Sequence, residues 1–166
     1  MDTHIEAIRD LFYEKILLYR ELVENLQAER SFLAKAEIDA LWKVSAKKQE
    51  LVSAIEDARG KVLKILSGMS ITHEMTVSTF SLSRVVSHMS GVERRLLRKP
   101  HLTLVGLKAQ TRQLSAENKA FIEESLEFLD EIMGVIAGAG NSDGVYDDGG
   151  SVRANGPGSR LFCREV

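Results

Sequence analysis

Three tracts of this chain repeat apolar residues at three- and four-residue intervals, the pattern of helices that bury one stripe. In the first, Thr3 to Lys35, the apolar positions are Ile5, Ile8, Leu11, Phe12, Leu18, Leu22, Leu26 and Leu33. Thr3 and Glu6 read as a capping box at its start. Glu14, Glu21, Glu24, Glu29 and Arg30 are expected on its outer face, where charge is simply solvated. The second tract, Glu37 to Ser67, carries the cleanest heptads: Leu41, Lys48, Ile55 and Val62 in one line, Val44, Leu51, Ala58 and Ile65 in the other. Sustained 3.5-residue spacing predicts antiparallel pairing with the first helix. The join at Ala34 to Glu37 has neither Gly nor Pro and reads equally as a tight turn or an almost unbroken helix. Trp42, beside Leu41, is expected in the core or seam, and Gly68 as the residue that closes the second helix.

The third tract, Pro100 to Ala137, is the richest. One line runs through Leu104, Leu107, Leu114, Phe121, Phe128, Ile132 and Val135, broken by Thr111, Asn118 and Ser125. A flanking line of Ile122, Leu126, Leu129, Met133 and Ile136 widens the apolar face beyond a seam, leaving surface for something besides a neighbouring helix. Pro100 suits the first position of this helix and cannot prolong the one before it. Asn118 is expected to set register. Between the tracts, Met69 to Phe80 reads as a loop. Thr79 or Ser81 is then expected to cap a short helix ending at Leu97, weakened by Gly91. Arg94, Arg95, Arg98 and Lys99 would close it, where the macrodipole favours cations. The predicted fold is all-α: long antiparallel helices in a coiled-coil-like three-helix bundle, with a helical domain at 1–137 and a flexible Gly-rich tail at 138–166.

Composition narrows the function. Seven of the chain's 12 glycines lie from Gly138 onward, where apolar residues are isolated and cannot offset the entropy of ordering. Tyr146, between glycines in that tail, has the character of a docking anchor. A net charge of -2 argues against nucleic acid as a partner. The N-terminus has no secretory pattern and no stretch is apolar enough for membrane insertion, so a cytoplasmic location is expected. The single cysteine, Cys163, excludes an internal disulfide. No phosphate-binding loop, no dinucleotide fingerprint, no H-E-x-x-H and no paired cysteines occur, and His4, His73, His88 and His101 lack metal-ligand spacing. Glu123, Glu124, Glu127, Asp130 and Glu131 read as a solvated acidic face. The chain is expected to be no enzyme, without cofactor or metal.

Several of these residues together resemble the FlgN family of flagellar export chaperones. They are Leu22, Leu26, Glu29 and Leu33; Ala36-Glu37-Ile38-Asp39-Ala40-Leu41; Lys48-Gln49-Glu50-Leu51; then Asn118, Ile122, Glu123, Ser125, Leu126 and Phe128; and Tyr146 with Gly150. The likeness covers residues 1–66 and 100–150 and leaves out Met69 to Lys99. It implies a cytoplasmic chaperone of type III flagellar export. Such a chaperone binds the terminal segments of the hook–filament junction proteins FlgK and FlgL and delivers them to the cytoplasmic domain of the export-gate protein FlhA. On this reading Phe121, Ile122, Leu126, Leu129, Met133 and Ile136 line the client groove, and Tyr146 contacts the gate. A homodimer is compatible with the pattern. The competing readings are a structural coiled-coil scaffold and a regulatory helical binding module.

Overall fold

The computed structural model describes residues 2–69, 71 and 73–140. Their helices are α1 (Asp2–Lys35), α2 (Ile38–Gly68), α3 (Leu82–Ser87) and α4 (Gly91–Gly140), with no strand among the described residues. The predicted all-α class is what the chain adopts. The backbone groups into two compact units that divide between Ile122 and Glu123. The Gly-rich segment past Gly140, with Tyr146 and Cys163, lies outside the described residues.

In the first unit, α1 is the central member. One unbroken series of its buried side chains runs at threes and fours, Ile5, Ile8, Phe12, Lys15, Tyr19, Leu22, Leu26 and Glu29, with Ile16 and Val23 buried beside it. Helix α2 runs antiparallel to it. Asn25 Nδ2 donates to the Val44 carbonyl at 3.2 Å near one end, and Lys61 pairs with Glu14 at 3.7 Å toward the other. Helix α4 runs in the direction of α1, since Asn118 meets Leu26 while Lys108 lies near Lys15. Successive long helices are therefore antiparallel, in an up-down-up order that needs no long crossover. α1 already includes Asp2, so Thr3 is an interior residue of its first turn and not the expected N-cap.

The turn between α1 and α2 is tight. Ala36 adopts φ +55°, its N–H donates to the Leu33 carbonyl at 3.2 Å, and the Glu37 N–H donates to the Phe32 carbonyl at 3.0 Å. That is the two-bond helix ending usually built on glycine, here carried by an alanine in the left-handed region. α2 ends differently from expectation. Gly68 is its last helical residue, and the Met69 N–H folds back onto the carbonyls of Ile65, Leu66 and Ser67 with Met69 itself at φ -84°.

The segment after α2 is part of the core. Met75, Val85, Val86 and Met89 are buried against Ile5, Ile8, Phe12, Val62, Leu66 and Leu97. The expected single helix from Thr79 or Ser81 to Leu97 is two helices. Ser81 caps α3, accepting from the Arg84 N–H at 3.5 Å. The chain then breaks at His88 to Ser90, and a capping box opens α4: the Ser90 N–H donates to Glu93 Oε2 at 2.7 Å, and the Glu93 N–H to Ser90 Oγ at 3.5 Å. Pro100 consequently sits inside α4 and not at its start. It is fully buried in the row Leu97, Pro100 and Leu104. The one backbone bond it forgoes would have ended on the carbonyl of Leu96, an exposed residue where water can substitute. Arg94, Arg95, Arg98 and Lys99 thus occupy early turns of α4, so the macrodipole account of them fails.

Candidate functional site

Within the first unit α4 has an inner row: Leu97, Pro100 and Leu104 buried, Leu107, Thr111 and Leu114 half-buried, Asn118 buried and Phe121 half-buried. Asn118 is 3% exposed, and its Nδ2 donates to the Leu26 carbonyl and to Glu29 Oε2, both at 2.9 Å. The other oxygen of Glu29 takes a short hydrogen bond from Lys48 Nζ. One carboxylate on α1 thereby ties α2 and α4, so Glu29, 8% exposed, is not the solvated surface charge its sequence context suggested. Phe121 faces α1 as well, with the Arg30 guanidinium 4.4 Å from its ring centre. Ile122 is exposed.

The second unit holds the rest of α4. Between Glu123 and Gly138 only Ser125 is half-buried, and every other side chain is exposed. Leu126 is 57% exposed, and Leu129, Met133 and Ile136 are comparably open. So are Phe128, Ile132 and Val135, which continue the seam line. At 100° per residue the two lines together subtend an arc of about 180°. Glu123, Glu124, Glu127, Asp130 and Glu131 take the opposite arc. This end of α4 is thus half apolar and half acidic, with its apolar half facing solvent. No group of His, Cys, Asp or Glu suited to a metal occurs among the described residues.

Trp42 departs from its expected place. It is 73% exposed on the first turns of α2, near the exposed Ile38, because Leu41 and Val44 take the inward positions there. No described helix is long and apolar enough to cross a membrane.

A family model described as FlgN protein matches residues 1–154. The chain belongs to the FlgN family. The match runs through Met69 to Lys99, the stretch the sequence motifs left out, and so takes in α3 and the capping box of α4. The FlgN family is a family of flagellar export chaperones. No curated protein and no solved structure matches the chain.

Proposed function

We propose that this FlgN-family protein is the cytoplasmic chaperone that holds the helix-forming ends of the junction proteins FlgK and FlgL and passes them to the cytoplasmic domain of FlhA. The observation that supports it is the exposed apolar line of Leu126, Leu129, Met133 and Ile136. A client helix with anchors at i, i+3, i+4 and i+7 fits that spacing. Each anchor fully buried is worth about 1.5–3 kcal/mol, against about 2–5 kcal/mol for ordering a disordered client, so the complex is stable yet releasable. Phe121 and Ile122, in the other unit, are proposed as further client contacts. Tyr146 is proposed as the gate anchor on the family resemblance.

The test is capture of C-terminal peptides of junction proteins by the full chain, by calorimetry. The double substitution Leu126→Glu and Leu129→Glu should abolish capture. Its helicity by circular dichroism should be unchanged, because both side chains already face water. Undiminished peptide affinity in that variant overturns the assignment.

A second reading draws on the seam side of the same helix. Phe128, Ile132 and Val135 sit where a coiled-coil partner would pack, and all three are exposed. A second copy of the chain would cover them. Light scattering of the purified protein should then give twice the chain mass without client and a shift when client is added. An oligomer indifferent to client would instead favour a scaffold.

A further inference from the structure

A cavity of about 400 Å³ opens in the first unit, lined by Phe80, Ser81, Leu82, Ser83, Val105, Lys108, Ala109 and Arg112. Its volume falls in the range of small-molecule sites. Lys108 and Arg112 are one turn apart on α4, and Ser81 and Ser83 line the wall that precedes and begins α3, the Ser81 hydroxyl accepting from the Arg84 N–H and the Ser83 hydroxyl 3.4 Å from His101 Nε2. Phe80, one of the lining residues, also meets a buried cation, with Lys15 Nζ 4.3 Å from its ring centre. Lys15 is 1% exposed at a core position of α1. The ion pairs among the described residues leave out Lys15, Arg59, Lys108 and Arg112.

A cationic cluster assembled from three helices, with no carboxylate ion-paired to it among the described residues, is unfavourable on its own. Its mutual repulsion registers on two members. Burial, then Arg59 and Lys108, bring Lys15 down to about 7; burial, then Arg112 and Arg59, lower Lys108. An anion at the cavity would relieve both, with Arg112 offering a planar fork, Lys108 a point charge and the serines neutral donors. The floor of Phe80, Leu82, Val105 and Ala109 is apolar, so the guest needs charge at one end only.

We propose that this cavity binds a small oxyanion ligand, bearing phosphate or carboxylate, through Lys108, Arg112 and the hydroxyls of Ser81 and Ser83, with Lys15 and Arg59 supplying positive potential. The site shares no residue with the proposed client surface and does not depend on the chaperone reading.

Calorimetric titration of the full chain with pyrophosphate, and separately with citrate, tests it, against sodium chloride at matched ionic strength. One-site saturable binding of pyrophosphate alone identifies a phosphate ligand; of citrate alone, a carboxylate; of both, any compact oxyanion. The double variant Lys108→Gln and Arg112→Gln should weaken binding by about tenfold or more, as loss of two charge-assisted bonds implies. A second basic groove, lined by Arg95, Arg98, Lys99, Leu102 and Thr103, serves as the control. The variant Arg95→Gln and Arg98→Gln should leave the affinity unchanged. Heats no larger than those of sodium chloride, or an equal loss in both variants, overturn the site.

Discussion

Lys15 and Glu29 occupy the buried stripe of α1 at the same spacing as its isoleucines and leucines, and the fold handles the two charges differently. Glu29 is fully engaged, one oxygen on Lys48 and the other on Asn118. Because Asn118 also reaches the Leu26 carbonyl, a one-residue slip of α4 would break both of its bonds at once, which is how a buried amide sets register. Lys15 instead lies over the face of Phe80, and the ion pairs among the described residues leave it out. With its pKa lowered from 10.5 to about 7, chiefly by burial, the unfolded chain binds more protons than the folded one between those values. The free energy of unfolding therefore rises with pH from about 7 to 10.5 on this account, while below 7 the full penalty of the buried charge stands. Lys15→Met should stabilise the protein by about 1–3 kcal/mol near pH 6, net of a lost cation–π contact, and by much less near pH 10. Urea unfolding at the two pH values checks this. An equal change at both would mean that packing, not charge, sets the effect.

Single elements show where local signals were readable and where they were overridden. The pairing of α1 with α2 was legible because four heptads repeat without interruption. The start of α4 was written as plainly, in Ser90 and Glu93 with their S-x-x-E spacing, but Gly91 and Pro100 pointed to a boundary nine residues later. Pro100 survives inside the helix because the capping box starts the helix upstream of it and its ring fills the buried row beside Leu97 and Leu104. The turn after α1 could not be chosen from sequence, since Ala36 has no preference for the left-handed conformation it adopts. Ala36→Gly should relieve that strain, raising stability by about 0.5–1 kcal/mol, visible as a higher denaturation midpoint with an unchanged slope. A lowered midpoint would show that the alanine is not strained.

At the scale of the whole molecule, the chain belongs to the FlgN family, and the proposed client surface is the exposed half-apolar, half-acidic end of α4. The breadth of that apolar face was legible, because two parallel lines of large residues exceed what one neighbouring helix can cover. Trp42 misled for the converse reason: one large apolar residue outside a line carries no information about the side it takes. If the docking and delivery steps are separate, Tyr146→Ala should bind client peptides with unchanged affinity and lose affinity for the FlhA cytoplasmic domain. A pull-down against that domain decides the point, and equal retention of the two proteins would remove Tyr146 from the delivery step.

Period and composition alone determined that this chain is helical, that three long segments pair lengthwise and that the last carries surplus apolar surface. Each of those depends only on spacing along one helix. Which polar residues point inward depended on the tertiary structure, because a lysine or glutamate on a stripe is buried only if a neighbouring helix closes over it. Glu29 found Lys48 and Asn118, residues 19 and 89 positions away in the chain. Lys15 was enclosed by Phe80 from a segment that reads as a loop. Such pairings are settled by how α1, α2 and α4 meet, and no local pattern encodes them.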